Sequence, residues 1–361
     1  MHKVSVVKCS SYRNAEVRKS LEESLKNIDF SFKKNLKVLI KPNILSPHPP
    51  EAAITTHPAI IEELCKILKK YNAKIFIGES SSYNTNLGFE VSGIGKLKGC
   101  KIINFETQEK KLKDIGEIKK VPLPKILDEV DLIINVAKLK THVFTGTTLS
   151  VKNLYGCIPG RAKSLYHKIL KTPKTFTKFL LALHSEIKPQ LNIIDGIVGI
   201  EGNGPGSSGA LIKSKRIIAG KNAEAVDIVS SEIMGVETYI SKLSKIKKQD
   251  IEVIGEKASL NFKKPLSSLL LAVPIFHFIN SLFPKSRVKF NHKNCTKCHL
   301  CEKKCPVKAI ALSPWPGCNY KKCIRCLCCI EVCPNSAVSL EEHKIKKLAR
   351  KIYRKFLNFK G

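Results

Sequence analysis

The stretch that decides the fold spans residues 38–77 and reads VLIKPNILSPHPPEAAITTHPAIIEELCKILKKYNAKIFI. Its two ends, residues 38–40 and 74–77, are short apolar runs of the kind that form buried strands. Between them, His57-Pro58 begins a helical pattern, because proline is favoured in the first turn of a helix. The apolar side chains of this pattern fall on one helical face: Ile60, Ile61, Leu64, Ile67 and Leu68. The stretch therefore predicts a strand, a helix and a second strand.

The same alternation continues along the chain. Residues 132–136 and 191–194 predict two more buried strands, and a strand at residues 217–220 precedes a helix at residues 223–234. Strands that alternate with helices build a mostly parallel sheet covered by helices. We therefore expect an α/β domain over residues 1–260.

Ten of the 14 cysteines lie between Cys295 and Cys333. Eight of these form two runs of the pattern Cys-x2-Cys-x2-Cys-x3-Cys-Pro, the second 28 residues after the first: Cys295, Cys298, Cys301 and Cys305, then Cys323, Cys326, Cys329 and Cys333. Three thiolates at this spacing can wrap one iron–sulfur cube, and in the two-cluster ferredoxins that this pattern resembles, the cysteine before proline ligates the other cluster. Zinc takes four ligands, commonly as two pairs, and has no use for the third cysteine or the Cys-Pro ending.

The expected ligand sets are therefore crossed. One cluster takes Cys295, Cys298, Cys301 and Cys333, and the other takes Cys323, Cys326, Cys329 and Cys305. Cys318 and Cys328 are left without a role, and Cys318 fits a small core residue.

Both runs resemble bacterial-type ferredoxins that carry two [4Fe–4S] clusters. The resemblance implies a small C-terminal α+β domain over residues 289–340, joined by an apolar linker at residues 261–288 and followed by a basic amphipathic helix at residues 341–361. From residue 289 onward there are 17 lysines and arginines against four glutamates. Free ferredoxins of this kind are usually acidic, so a basic module favours a built-in relay or an acidic donor protein.

Polar side chains follow several of the predicted strands. In open parallel sheets the carboxyl ends of the strands form the ligand crevice, so we expect these side chains to share one site. The candidate residues are Lys41, Asn43, Lys138, Lys140, His142, Lys152, Asn153, Asp195, Glu201 and Asn203. Lysine and hydroxyl donors suit a phosphate or a carboxylate, which predicts a pocket for an anionic group. There is no Gly-x-Gly-x-x-Gly after the first strand and no Walker-type loop to indicate a nucleotide.

Five segments within residues 35–235 carry a second resemblance: IKPN, TTHP, VAKLKTHVFTGTTLSVKNLYG, IIDGIVGIEGNGPGSSG and AEAVDIV. In this order they resemble the domain of unknown function 362 family, whose members are often fused to a ferredoxin module. The resemblance implies an iron–sulfur-binding protein of unknown activity. It also implicates the ten candidate residues, without assigning roles to them.

The formal net charge of +33 rests on 63 basic residues, of which only eight are arginines. A dedicated phosphate or nucleic-acid reader usually relies on arginine. Aromatic residues are 7% of the chain and do not interleave with basic ones. Nucleic-acid binding is therefore the least favoured class of function.

The start of the chain has no early apolar run, so we expect a cytoplasmic protein. Residues 265–284 are apolar, and residues 341–361 combine an apolar stripe with a basic face. For both segments we favour packing against the protein itself. Peripheral contact with an anionic membrane surface is the alternative.

These patterns favour a ferredoxin-dependent oxidoreductase that passes electrons to an anionic substrate or cofactor in the α/β domain. Lys140 or His142 would deliver protons, and Lys41 and Lys152 would neutralise charge. The partner of such an oxidoreductase would be a redox protein that donates or accepts electrons. The alternative is a non-catalytic electron-transfer subunit whose large domain docks a partner.

Overall fold

The computed structural model describes residues 1–204, 209–256, 259–260, 262–265 and 287–341. The large domain is built on a sheet of ten strands: β1 (His2–Lys8), β2 (Lys37–Lys41), β3 (Lys74–Glu79), β4 (Lys101–Asn104), β7 (Leu132–His142), β8 (Gly146–Thr148), β9 (Leu191–Gly202), β10 (Gly209–Ile212), β11 (Arg216–Gly220) and β12 (Ile251–Gly255). A separate hairpin consists of β5 (Lys110–Ile115) and β6 (Ile118–Pro124).

The helices of the large domain are α1 (Asn14–Asn27), α2 (Pro58–Lys69), α3 (Thr85–Val91), α4 (Ser150–Asn153), α5 (Arg161–Ile169), α6 (Pro173–Ile187), α7 (Ala223–Ile233) and α8 (Tyr239–Leu243). Short 3-10 turns lie at Pro50–Ala52, Ile94–Lys96, Lys125–Asp128, Leu154–Cys157 and Lys248–Asp250.

The strand order across the sheet is β12-β1-β11-β9-β7-β2-β3-β4, with β8 paired to β7 and β10 to β9. Strands β9, β7, β2, β3 and β4 are parallel neighbours, and β1 is parallel to β12. Strand β11 runs antiparallel to both β1 and β9. The predicted mostly parallel α/β fold is confirmed, and the reversed β11 is a feature that the alternation of elements does not reveal.

Both faces of the sheet are buried. Val38 and Ile40 pack with α1 and α2 on one face, whereas Leu39 packs with α6 on the other. Successive side chains of a strand point to opposite faces, so an unbroken apolar run is what a doubly covered strand requires. This explains why the central strands read as short apolar runs in the sequence.

Two strands are longer than their apolar runs. Strand β7 extends through Lys138 and Lys140 to His142, and β9 extends through Asp195 to Gly202. The pairing of β7 with β9 shifts register between Lys138 and Lys140. The polar residues predicted to follow these strands are therefore buried within them, which is tolerable because each finds a partner inside the protein.

The cysteine module contains β13 (Arg287–Phe290), α9 (Leu300–Lys303), β14 (Ile310–Leu312), β15 (Pro316–Cys318), α10 (Cys328–Glu331) and β16 (Val338–Glu341). Strand β13 pairs antiparallel with β16, and β14 pairs antiparallel with β15. Val143, which follows β7, packs in one apolar cluster with Leu327 and Ile330 of the module. The module therefore lies against the end of β7, at the carboxyl edge of the parallel strands.

Most of the predicted apolar linker at residues 261–288 and nearly all of the basic helix at residues 341–361 lie outside the described residues. Phe262 is described and packs in the core of the large domain beside Val226 and Ile233. In the part of the chain that the structure describes, no helix has the length and apolar character needed to span a bilayer.

Candidate functional site

A buried ion pair lies where β2 and β3 end. Lys41 Nζ is 2.6 Å from Glu79 Oε2 and also donates to the carbonyl of Pro42 at 2.7 Å. Glu79 Oε2 accepts a further hydrogen bond from the backbone of Ile44 at 3.1 Å. The charge of Lys41 is thus already balanced by a protein carboxylate rather than directed at an open pocket.

Asn153 of α4 joins β7 and the segment that follows β2 in one hydrogen-bond network. Its side-chain nitrogen donates to Asn135 Oδ1 at 2.8 Å, and its oxygen accepts from Asn43 Nδ2 at 3.0 Å. Asn43 in turn accepts from Lys140 Nζ, which also donates to the carbonyl of Ile54 at 2.7 Å. Because each of these polar groups has a partner, the network fixes Lys140 in one position.

A second buried pair lies where β7 meets β9. Lys138 Nζ donates to Asp195 Oδ2 at 2.8 Å and to the Tyr12 hydroxyl at 2.7 Å. Tyr12 donates to Asp195 Oδ1 at 2.9 Å and stacks on the His57 ring with the centroids 3.6 Å apart. The backbone of His57 donates to Asp195 Oδ2 at 2.9 Å. Asp195 therefore has its hydrogen-bonding capacity met within the fold.

His142 connects the sheet to the cysteine module. Its Nδ1 accepts hydrogen bonds from the backbone of Phe144 and Thr145, so the proton lies on Nε2, which is 2.7 Å from Glu331 Oε1. Burial, together with the charge of Lys152, lowers the pKa of His142 to about 4. Burial opposes ionisation of Glu331, but Lys152 and His142 together hold the pKa of this carboxyl below its usual value.

A cleft with a cavity volume of about 80 Å³ opens between the carboxyl edge of the sheet and the module. From the large domain it is lined by Asn43, Ile44, Leu45, Glu79, Ser80, Ser82, Lys140, Thr148, Lys152, Asn153, Tyr155, Gly156, Gly160, Lys163, Ser164 and His167. From the module it is lined by Lys304, Cys328, Glu331 and Val332.

Several polar groups in the cleft lack a partner. His167 Nδ1 and Thr148 Oγ1 are buried and make no hydrogen bond among the described residues. Lys152 Nζ likewise makes no hydrogen bond among the described residues, although the charge of Glu331 acts on it. Buried polar groups are normally paired, so unpaired groups that converge on one cleft indicate a ligand site.

The lysines of the cleft have lowered pKa values because they are buried. Burial brings the pKa of Lys163 to about 8 and lowers that of Lys152. Burial also lowers the pKa of Lys140 well below its usual value, with Lys152 and Lys138 adding to the effect. An anion in the cleft would offset this accumulation of positive charge.

The cysteines of the module converge on two separate cavities. Cys295, Cys298, Cys301 and Cys333 line one, and Cys305, Cys323, Cys326 and Cys329 line the other, with Cys318 and Cys328 beside them. These are the crossed sets that the spacing predicts. The backbone of Ala309 donates to Cys305 Sγ, and that of Ala337 donates to Cys333 Sγ, both at 3.2 Å. Four thiols around each cavity, with matching N–H···S contacts, suit an iron–sulfur cube.

The structure places the ten candidate residues in three groups. Asn43, Lys140, Lys152 and Asn153 line the cleft. Lys41, Lys138, His142 and Asp195 are buried nearby, in the contacts described above. Glu201 pairs instead with Lys263 Nζ at 2.9 Å, and Asn203 follows it at the end of β9; neither lines the cleft.

Sequence reasoning missed five residues that the structure brings to these sites: Tyr12, Glu79, Lys163, His167 and Glu331. Glu79 is the last residue of β3, in the segment GESSS, so its position at a strand end was a usable signal. Glu331 is one of four acidic residues in the strongly basic stretch from residue 289 onward, and its rarity there was also a usable signal. Lys163 and His167 lie one helical turn apart on α5, but nothing in the sequence shows that this helix covers the cleft.

Comparison with known proteins places the chain in a family. Residues 38–232 match the model of the domain of unknown function DUF362. The chain belongs to the DUF362 family. Residues 288–311 match the 4Fe-4S binding domain, and the module accordingly binds [4Fe–4S] and gives this DUF362 protein an iron–sulfur electron-transfer role.

One relative of this DUF362 protein is the thylakoid-associated protein sll1697 of Synechocystis sp., 28% identical over 242 residues, or 65% of this chain and 75% of the relative. Among solved structures, the lactate racemase apoprotein from Thermoanaerobacterium thermosaccharolyticum is 16% identical with a TM-score of 0.41. That match covers 63% of this chain and 56% of the racemase chain.

Proposed function

We propose that this DUF362 protein is an iron–sulfur oxidoreductase that transfers electrons to a small anionic molecule bound in the cleft. The observation that carries the proposal is the position of α10. This helix begins at Cys328, contains the predicted ligand Cys329, and ends at Glu331, which lines the cleft together with Lys140 and Lys152. A cluster-binding segment therefore forms one wall of a cleft that has unpaired polar groups.

The two cysteine cavities support two [4Fe–4S] clusters, with the crossed ligands given above. Bound clusters would supply electrons one at a time beside the cleft. The apolar cluster of Val143, Leu327 and Ile330 holds the module against the sheet and excludes water from their interface. This packing favours a fixed distance between the cysteines and the cleft.

The substrate class follows from the cleft's own side chains. Lys140, Lys152 and Lys163 bring positive charge to the cleft. Of the carboxylates that line it, Glu79 is already paired with Lys41, and Glu331 accepts from His142. A carboxylate or a phosphate would accept hydrogen bonds from these lysines and from Thr148 Oγ1. Its binding would raise the lowered pKa values of the lysines and hold them charged.

Protons can be supplied from within the cleft. Lys140 lines it and is fixed by Asn43 and the carbonyl of Ile54, which supports its predicted role in proton delivery. His142 does not line the cleft and donates to Glu331, so its contribution would be to position that carboxylate. His167 has a ring nitrogen, Nδ1, that makes no hydrogen bond among the described residues, and this side chain lines the cleft as a further candidate for proton transfer.

A non-catalytic electron-transfer subunit is the second candidate. It is favoured by the internal pairing of Lys41 with Glu79 and of Lys138 with Asp195, since structural pairs need no ligand. The two candidates differ in whether the cleft binds a small molecule.

The experiment that tests the proposal uses the full chain, purified without oxygen and reduced. Small carboxylates and phosphates are added one by one, and the EPR spectrum and its rate of loss are followed. We expect at least one compound to perturb the spectrum or oxidise the protein. We also expect Lys152→Met to abolish this response while the iron content stays unchanged.

The control variant is Lys96→Met, which removes an exposed lysine remote from the cleft and should behave as the wild type. Native mass spectrometry of the same samples detects any retained small molecule. A protein that holds no such molecule and is indifferent to every compound, with full iron content, would contradict the catalytic proposal and support the docking subunit.

A further inference from the structure

The two cysteine cavities differ in their surroundings. The cavity of Cys305, Cys323, Cys326 and Cys329, here called the proximal cavity, shares Cys328 with the cleft. The other cavity, here called the distal cavity, is lined by Cys295, Cys298, Cys301 and Cys333. None of these four cysteines lines the cleft.

The distal cavity is the more accessible of the two. Cys298 is exposed, whereas all four thiols of the proximal cavity are partly buried. Thr296, Lys297 and His299, which flank Cys298 and line the distal cavity, are exposed as well. Electron transfer between proteins requires close approach, so the exposed side of the module is where a partner can reach a predicted ligand.

The exposed side is strongly basic. Lys293, Lys297 and Lys303 are exposed and lie within eleven residues of chain around the distal ligands. The single acidic residue in this segment, Glu302, is already paired with His299 at 2.8 Å. We call the three lysines the basic face.

Lys297 is held in position by its neighbours. Its Nζ lies 4.2 Å from the centroid of the Trp315 ring, and the His292 ring stacks on Trp315 with the centroids 4.7 Å apart. A lysine ordered by a cation–π contact loses less conformational entropy on binding than a freely moving one. The basic face is therefore partly organised before a partner arrives.

We infer that the basic face docks an acidic electron-carrier protein, which exchanges electrons with the module at the exposed Cys298 side. Each transfer oxidises the carrier by one electron and reduces the module by one, and no bond is formed or broken. The inference concerns the entry of electrons and needs only the iron–sulfur module. It therefore stands or falls separately from the proposed chemistry in the cleft.

The test uses the cluster-loaded full chain and a reduced acidic two-[4Fe–4S] ferredoxin as the probe. The charge-reversal variant is Lys293→Glu/Lys297→Glu/Lys303→Glu. The matched control, Lys19→Glu/Lys33→Glu/Lys34→Glu, makes the same change in charge at exposed lysines on α1 and before the start of β2. Binding is measured by calorimetry at low and high salt, and electron transfer by stopped-flow absorbance.

We expect the basic-face variant to weaken binding by at least about tenfold, because it loses several attractive charge pairs and gains repulsive ones. The control should bind as the wild type does, and wild-type binding should weaken as salt is added. Photoreduced deazaflavin, a small reductant, should reduce all three proteins at the same rate. If Lys297→Glu lowers the iron content, the double variant Lys293→Glu/Lys303→Glu takes its place.

Equal ferredoxin binding by the basic-face variant and the control would overturn the inference, and so would binding that is indifferent to salt. Vesicles of phosphatidylglycerol provide the remaining comparison. If the basic-face variant loses vesicle binding but keeps ferredoxin binding, the face contacts membranes rather than a carrier, and the inference is again overturned.

Discussion

His142 Nε2 lies 2.7 Å from Glu331 Oε1, and this contact ties the end of β7 to α10 of the cysteine module. The two residues are 189 positions apart in the chain. Two backbone N–H groups hold His142 Nδ1 as an acceptor, so the ring can only donate toward the module. The contact therefore sets the orientation of α10 against the sheet.

Removing the carboxylate should loosen the module. In Glu331→Ala the buried Nε2–H of His142 loses its acceptor, which costs roughly 1–3 kcal/mol. We expect hydrogen exchange of the Phe144 and Thr145 amides to accelerate by about tenfold or more. Glu302→Ala, which breaks an exposed pair on α9, is the control and should leave these amides unchanged. Unaltered exchange in Glu331→Ala would mean that apolar packing alone holds the module.

The stability of the protein should depend on pH through His167. Burial lowers its pKa to about 4 from the ordinary 6.5, so the unfolded chain takes up a proton at a higher pH than the folded one. Stability is then complete above pH 6.5 and falls as the pH is lowered toward 4. As the pH falls from neutral to ~5.5, protonation of this residue in the unfolded chain should lower the free energy of unfolding by about 1 kcal/mol.

The measurement is urea denaturation of the wild type and His167→Phe at several pH values. Phenylalanine keeps the ring among Phe144, Tyr155 and Phe176 but cannot titrate. The variant should lose less stability than the wild type as the pH falls, since other acid-sensitive groups are common to both. If the free energy of unfolding falls equally with pH in the wild type and the variant, His167 has the same pKa in the folded and unfolded chains, contrary to this prediction.

The crossed ligand sets make a prediction about pairs of cysteines. Cys295→Ala and Cys333→Ala should each empty the distal cavity and leave one and the same EPR signal, with about four irons per chain. Cys305→Ala should empty the proximal cavity and leave a different signal. Cys318→Ser and Cys328→Ser are the controls and should retain about eight irons. A Cys305→Ala spectrum that matches that of Cys295→Ala would rule out the crossing.

The buried pair of Lys138 and Asp195 should be costly to break. Lys138→Met leaves Asp195 buried without its counter-charge, and a loss of about 3–5 kcal/mol of unfolding free energy is expected. The double variant Lys138→Met/Asp195→Leu should regain part of this loss because no lone charge remains. The exposed pair of Lys119 with Asp114 is the control, and Lys119→Met should change stability by less than about 1 kcal/mol. Chemical denaturation measures all three.

The sequence predicted the elements whose hydrophobic pattern is local. Residues 38–40 and 74–77 lie in β2 and β3, and the helix expected from Pro58 is α2. The cysteine pattern likewise predicted the two sets of ligands that line the distal and proximal cavities. It could do so because the cysteines of each run lie close together in the chain. Such features need no knowledge of how distant segments pack.

The rest depends on contacts between distant segments. Lys138 and Asp195 read as residues that follow strands, but mutual pairing allows both to be buried inside β7 and β9. The sequence gives no sign that Lys41 would be neutralised by Glu79, or that Lys163 and His167 of α5 would line the cleft. The direction of β11 and the docking of the module are also set by long-range packing.

The position of α10 has a consequence for how the protein matures. Because this helix follows Cys326, contains Cys329 and also supplies Glu331 to the cleft, we expect iron loading of the module and completion of the cleft to be coupled. A newly made chain without iron would then lack an ordered wall on this side of the cleft. If the cleft binds the proposed anion, only chains that have received their iron would hold it.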